Sequence, residues 1–160
     1  MPRGTGSCRS SQTLGVARMH TVRQAQPRDM QFVRELFSEA IAGSDWLPAA
    51  ARTQTDFSAV SEGESVLVCC SLEGRLLGFV SVFEPDSFVH HLYVAPSCQR
   101  QGVGKALLSS MRTWLPMPWH LKCVTANESA LAFYEANGWI EASHAQGPDG
   151  PYVLLRKSDA

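Results

Sequence analysis

Apolar residues recur along this chain with two periods, two residues and three to four, and each switch between them marks the border of an element. Residues 20–25 alternate and predict a first strand. Pro27 and Asp29 then open a helix with Met30, Val33, Leu36, Phe37, Ala40 and Ile41 on one face and Gly43 as its stop. Trp46, Leu47 and Pro48 lead into a second, less regular helical segment that runs to about Val60. Two strands, residues 65–72 and 75–84, meet at Glu73-Gly74, a hairpin signal with glycine where a positive φ is wanted. Residues 85–87 turn the chain into a strand over residues 88–94, rich in aromatic and β-branched side chains, and Pro96 cannot continue its ladder. From Val103 the helical period returns through Leu107, Leu108, Met111 and Leu115 until Pro116. A strand over 120–124, a helix over 129–136 stopped by Asn137-Gly138, and closing strands over 140–143 and 152–156 complete the chain, with a flexible loop expected at 146–151.

This order of elements fits one domain, and a chain of 160 residues with 44% hydrophobic residues has enough apolar surface for a core. Residues 1–18 differ: three arginines, no acid and almost no large apolar side chain predict a disordered extension, or a start at Met19 with the domain spanning 19–160. With 14 Lys+Arg against 15 Asp+Glu the net charge is −1, which gives no reason to expect a nucleic acid or an anionic membrane as partner. Cys8, Cys69, Cys70, Cys98 and Cys123 form no C-x-x-C pair, so a reducing, cytoplasmic setting is expected. His20, His90, His91, His120 and His144 lack the spacing of a metal motif, and no metal is expected. Cys69 and Cys70, inside an apolar run, read as small core or strand residues.

The chemistry concentrates between residues 99 and 105, where Gln99-Arg100-Gln101-Gly102-Val103-Gly104-Lys105 joins a strand to a helix. Two glycines allow a tight turn and leave consecutive N–H groups uncovered at a helix N-terminus, beside the charges of Arg100 and Lys105. That is an anion site in outline. Many α/β turns use glycine for geometry alone, so the turn by itself leaves both readings open.

Its context carries a resemblance. The Gln99-x-x-Gly102-x-Gly104 signature, preceded by Leu92-Tyr93-Val94-Ala-Pro, resembles the acyl-CoA site of the GNAT superfamily of N-acetyltransferases. Downstream, Asn127-Glu128-Ser129-Ala130-Leu131-Ala132-Phe133-Tyr134-Glu135-Ala136-Asn137-Gly138-Trp139 resembles the family's N-x-x-A-x-x-F-Y-E-x-x-G-[FW] segment. The resemblance implies an α/β (α+β) single-domain fold with a central mixed, mostly antiparallel sheet of about six or seven strands flanked by about four helices. It also implies an enzyme that takes acetyl-CoA as co-substrate and lets an amine attack the thioester directly.

Carried onto this sequence, the family pattern puts the CoA pyrophosphate on the amides of Gln101, Gly102, Val103 and Gly104, with Gln99 to Lys105 wrapping it. The pantetheine arm would pair with the main chain of Leu92, Tyr93 and Val94. Asn127 would hydrogen-bond the arm, or cap the helix after it, or both. Tyr134 matches the tyrosine that protonates the leaving thiolate, while Phe133 reads as core. Some members carry a Glu as base at the position of Lys122, and this chain lacks it. His90 stands where arylalkylamine acetyltransferases carry a histidine that works through water, and an imidazole with an ordinary pKa of about 6.5 suits a base. His91 is expected on the opposite face by alternation, and Glu84 is the third candidate. Trp46 and Phe57, near the family's acceptor entrance, read as packing, with an acceptor contact as the alternative. The expected acceptor is a small primary amine. A protein lysine or N-terminus is the second reading, and a non-catalytic acyl-CoA sensor the third. The family frequently dimerises, and a final strand around residues 152–155, if exposed, would be a candidate homodimer edge.

Overall fold

The structure, a computed structural model, describes residues 20–53 and 56–159. The expected disorder of residues 1–18, and Cys8, lie outside them. Strands β1 (His20–Gln24), β2 (Ser65–Ser71), β3 (Leu76–Phe83), β4 (Phe88–Val94), β5 (Trp119–Val124), β6 (Ile140–Gly147) and β7 (Gly150–Lys157) form one sheet in the order β1-β2-β3-β4-β5-β7-β6. Every neighbouring pair is antiparallel except β4 and β5. Helices α1 (Met30–Ala42), α2 (Phe57–Val60), α3 (Val103–Ser110) and α4 (Glu128–Ala136) cover the faces. This is the mixed seven-stranded, four-helix architecture that the resemblance implies.

Strand alternation supplies both faces of the sheet with apolar side chains. Val68, Cys70 and Phe79 pack under Val33, Leu36, Phe37 and Phe57 of α1 and α2. Cys69, Val80, Val82, Leu121 and Leu155 pack on the other face under Val103, Leu107, Leu108 and Met111. The adjacent cysteines thus serve opposite layers, as core residues. Phe57 is 1% exposed and touches Phe37 and Phe79, so packing is its role here.

Several boundaries differ from the sequence reading for local reasons. Gly43 ends α1 at φ −87°, without a left-handed cap. Among its described residues the segment after it forms a 3₁₀ turn at Ala51–Thr53 and the four-residue α2, because Pro48 and the polar residues beyond it supply no continuous apolar face. The expected loop at 146–151 is a tight hairpin: Gln146 pairs with Pro151 and Gly147 with Gly150, so both closing strands are longer than the apolar pattern alone shows. The expectation of an exposed final strand is also corrected. β7 lies between β5 and β6, with ladders on both sides, and among the described residues the sheet's edges are β1 and β6. Among the described residues no helix is long and apolar enough to cross a membrane.

Two irregularities shape the middle of the sheet. Ser81 pairs with His91 while Val82 pairs with Val89, so His90 is an extra residue on β4, a β-bulge. Beyond it β4 and β5 part: their parallel ladder holds only at Phe88↔His120 and Val89↔Leu121.

Candidate active site

The parting of β4 and β5 opens a cavity of about 660 Å³. Its walls are Leu92, Tyr93 and Val94 on β4, the turn with Gln99, Arg100, Gly102, Val103, Gly104 and Lys105, and Asn127, Ser129, Ala130, Phe133 and Tyr134 from α4. Leu36, Glu39 and Ala40 of α1 border it as well. Leu92, Tyr93 and Val94 pair with Val80, Phe79 and Gly78 of β3, and β5 pairs with none of them. A stretch of strand backbone therefore faces the cavity, a place where an extended chain can add main-chain hydrogen bonds.

At the turn, Gly102 is the N-cap of α3 in the left-handed conformation, φ 84°, and no side chain caps the helix. The first amides of α3 are therefore free of a side-chain partner, and the helix dipole points into the cavity mouth. Arg100 is also left-handed, φ 64°, unusual for a residue with a side chain and a sign that the turn's shape is fixed by its surroundings. A Cβ on Gly104 would lie 3.1 Å from the Phe133 ring, so glycine lets α3 and α4 approach there. The Gln99 side chain donates to the Val94 carbonyl and that of Gln101 to the Ser97 carbonyl, which braces the loop. Gln101 alone among the expected cofactor residues does not line the cavity. This donor-rich, uncapped cradle between two cations fits a pyrophosphate.

Tyr134 is buried against Trp139 and Phe133 at the cavity's inner wall. Burial first, then Cys123 and Tyr93, raise its pKa above the usual tyrosine range, so the hydroxyl stays protonated and able to donate. Tyr93 turns its ring to Phe37 and Phe79 and offers the cavity its place on the strand. Asn127 Oδ1 accepts from the Ala130 amide at 3.3 Å, the helix cap, while the residue also lines the cavity; both readings hold geometrically. Phe133, read as core from sequence, lines the cavity as well, because α4 turns that part of its surface toward the Gly104 gap.

None of the candidates for a base lines the cavity. His90 is exposed, and its Nδ1 meets the Glu64 carboxylate. His91 does not face the other way: the bulge brings the two imidazole centroids to 4.0 Å. Its ring packs on Phe37 and Phe57, and burial, followed by the neighbouring His90, lowers its pKa to about 3. Glu84 sits on an exposed turn and accepts from the Ser65 hydroxyl. Lys122, at the position of the family glutamate, lies 4.4 Å over the Tyr152 ring.

Glu64 escapes the sequence reading. It follows Gly63 in a polar turn that looks like solvated surface, yet its side chain is only 6% exposed. Glu64, His90 and His91 together bring three ligand-type atoms within 4.8 Å, a meeting that histidine spacing cannot reveal because Glu64 arrives from the turn before β2.

A strand-flanked cleft, an uncapped glycine turn and a buried tyrosine thus share one cavity. The sequence matches the Acetyltransferase (GNAT) family over residues 30–139, and the chain belongs to that family. Among curated relatives, it is similar to the peptidyl-lysine N-acetyltransferase YiaC of Escherichia coli, 39% identical over 69 residues, 42% of this chain and 44% of that protein. It is also similar to the aminoglycoside N(6')-acetyltransferase type 1 of Stenotrophomonas maltophilia, 31% identical over 110 residues, 62% of this chain and 69% of that protein. The first match thus spans less than half of the relative's length. Among solved structures, a histone acetyltransferase HPA2 and related acetyltransferase from Corynebacterium glutamicum shares the fold, with a TM-score of 0.70 at 18% identity over 89% of this chain and 97% of that one.

Proposed function

We propose that this chain transfers the acetyl group of acetyl-CoA to the primary amine of a small molecule by direct attack, with no metal in the reaction. The observation that carries the reading is the parting of β4 from β5 after Val89, which leaves residues 92–94, paired with β3 on one side, without a partner on the β5 side at the head of the glycine turn. Acetyl-CoA supplies the activated acyl group as a thioester. The amides of Gln101, Gly102, Val103 and Gly104 hold the pyrophosphate with Arg100 and Lys105 beside it, Leu92 to Val94 and Asn127 hold the arm, and a β4 amide polarises the acyl carbonyl. His90 takes the proton of the attacking amine through a water, being two residues, about 7 Å, along β4 from Leu92. Tyr134 gives its hydroxyl proton to the departing sulfur.

Glu39 at the α1 border of the cavity favours a cationic acceptor, as does the similarity to an aminoglycoside acetyltransferase. The similarity to a peptidyl-lysine acetyltransferase supports the second reading, a protein lysine or N-terminal amine. Tyr134 at the cavity wall argues for turnover over a sensor that only binds acyl-CoA. The working unit is residues 19–160 as one domain, and the four buried free cysteines suit a cytoplasmic setting. A homodimer formed by sheet extension would use an edge strand, β1 or β6.

The test is release of the CoA thiol across a panel of small amines, aminoglycosides, amino acids and lysine peptides. Turnover of a small amine above all peptides is the expected result, and Tyr134→Phe lowers kcat on it by roughly ten- to a thousandfold with acetyl-CoA affinity kept. Preference for peptides would overturn the acceptor class. Saturable acetyl-CoA binding without turnover of any amine would overturn the enzyme reading.

A further inference from the structure

The Glu64 carboxylate is placed where a merely structural acid is costly. Its side chain is 6% exposed, and its Oε1 accepts from the Ser81 hydroxyl, itself completely buried. Its Oε2 meets Nδ1 of His90. Among the described residues no Lys or Arg pairs with it; its ion-pair partner is His90. A carboxylate out of water needs hydrogen bonds and a compensating charge, and here the one group able to supply that charge is an imidazole that can gain a proton. An ionised carboxylate has no proton to give, so against one the Nδ1–H of His90 is the donor. That bond selects the tautomer of the neutral ring and leaves Nε2, on the edge away from Glu64, with its lone pair free. The β-bulge is what makes this possible, since His90 is the unpaired extra residue of β4, next to Ser81 of β3 in the register.

We infer that Glu64 is the positioning residue of the base: held by Ser81, it fixes His90 as the Nδ1–H tautomer, leaves Nε2 to the water that carries the amine's proton, and stabilises the imidazolium that forms. The inference rests on the proposed role of His90. As the amine nitrogen bonds to the acyl carbon and the carbon–sulfur bond breaks, the ammonium proton passes through the intervening water to Nε2. Nδ1–H stays on Glu64 throughout, and the Nε2 proton returns to solvent after product leaves. The groups around His90 are Glu64 from the turn before β2, Ser81 on β3, and His91 and Phe88 on β4. None but Glu64 combines contact with Nδ1 and a negative charge.

The test reads ring nitrogens and turnover together. Long-range ¹H–¹⁵N spectra of the neutral histidines should show wild-type His90 protonated at Nδ1 and not at Nε2. The paired change Glu64→Met with Ser81→Ala removes the carboxylate without stranding the buried hydroxyl. It should move His90 toward the Nε2–H form that free imidazoles in histidine prefer, and lower kcat roughly ten- to a thousandfold at unchanged acetyl-CoA affinity. Glu64→Asp should recover part of that loss, which a purely structural role would not predict. A wild-type His90 in the Nε2–H form, or a tautomer and kcat unchanged in the Glu64 variants while His90→Gln is impaired, would overturn the positioning role and leave the base assignment standing. Wild-type turnover in His90→Gln would remove the base assignment itself, and the tautomer would then report a structural bond alone.

Discussion

Burial decides the protonation of His91, whose ring lies 5.1 Å from that of Phe37 and 5.6 Å from that of Phe57. Its Nε2 has no hydrogen-bond partner among the described residues, so a charged ring there would be both desolvated and unpaired. With the folded pKa lowered to about 3, the unfolded chain binds more protons than the folded one between that value and the ordinary value of about 6.5. The stabilisation is full above the unfolded value and is lost progressively as pH falls through this window. His91→Phe, which keeps an aromatic ring between Phe37 and Phe57, should flatten that part of the pH dependence. Thermal unfolding of both proteins from neutral pH downward checks it, and parallel Tm curves would contradict it. The same residue shows where reading by alternation stops. Alternation sends neighbours to opposite faces, but a bulge resets it, and whether a strand bulges depends on the register of its partner, which lies outside the local sequence. Glu64 was hidden for a related reason: its turn is polar, and only the folded sheet lays its side chain against Ser81 and His90.

At the scale of elements, the strand-turn-helix from β4 to α3 was legible because its signals are local. Gly102 at φ 84° opens the helix, Val103, Leu107 and Leu108 bury one face, and both sequence motifs contribute residues to the cavity wall. The short, irregular stretch between α1 and β2 was less legible, since neither period dominates there. The turn also yields a direct prediction. Gly104→Asp would bring a Cβ to 3.1 Å from the Phe133 ring and a negative charge to the anion cradle. Calorimetry should find acetyl-CoA binding lost in this variant while circular dichroism reports a folded protein. Wild-type affinity in the folded variant would refute the cradle.

For the molecule as a whole, the sheet order matters more than the count of strands. The lone parallel contact, β4 beside β5, is the one that fails to extend, and the cleft it opens is flanked by two strongly paired halves, β1 to β4 and β5 to β6. A flexible hinge is not needed to admit an extended ligand there. The order also explains why the final strand is not an edge: β7 returns between β5 and β6, a crossing that apolar periodicity cannot show. The most direct measurement of the cleft's role is a titration of ¹⁵N-labelled protein with acetyl-CoA, following backbone amides. Binding between β4 and β5 predicts that the amides of Leu92, Tyr93 and Val94 shift together with those of Gly102, Val103 and Gly104 and saturate at one common affinity. Saturable binding that leaves both groups unmoved and perturbs another surface would contradict it.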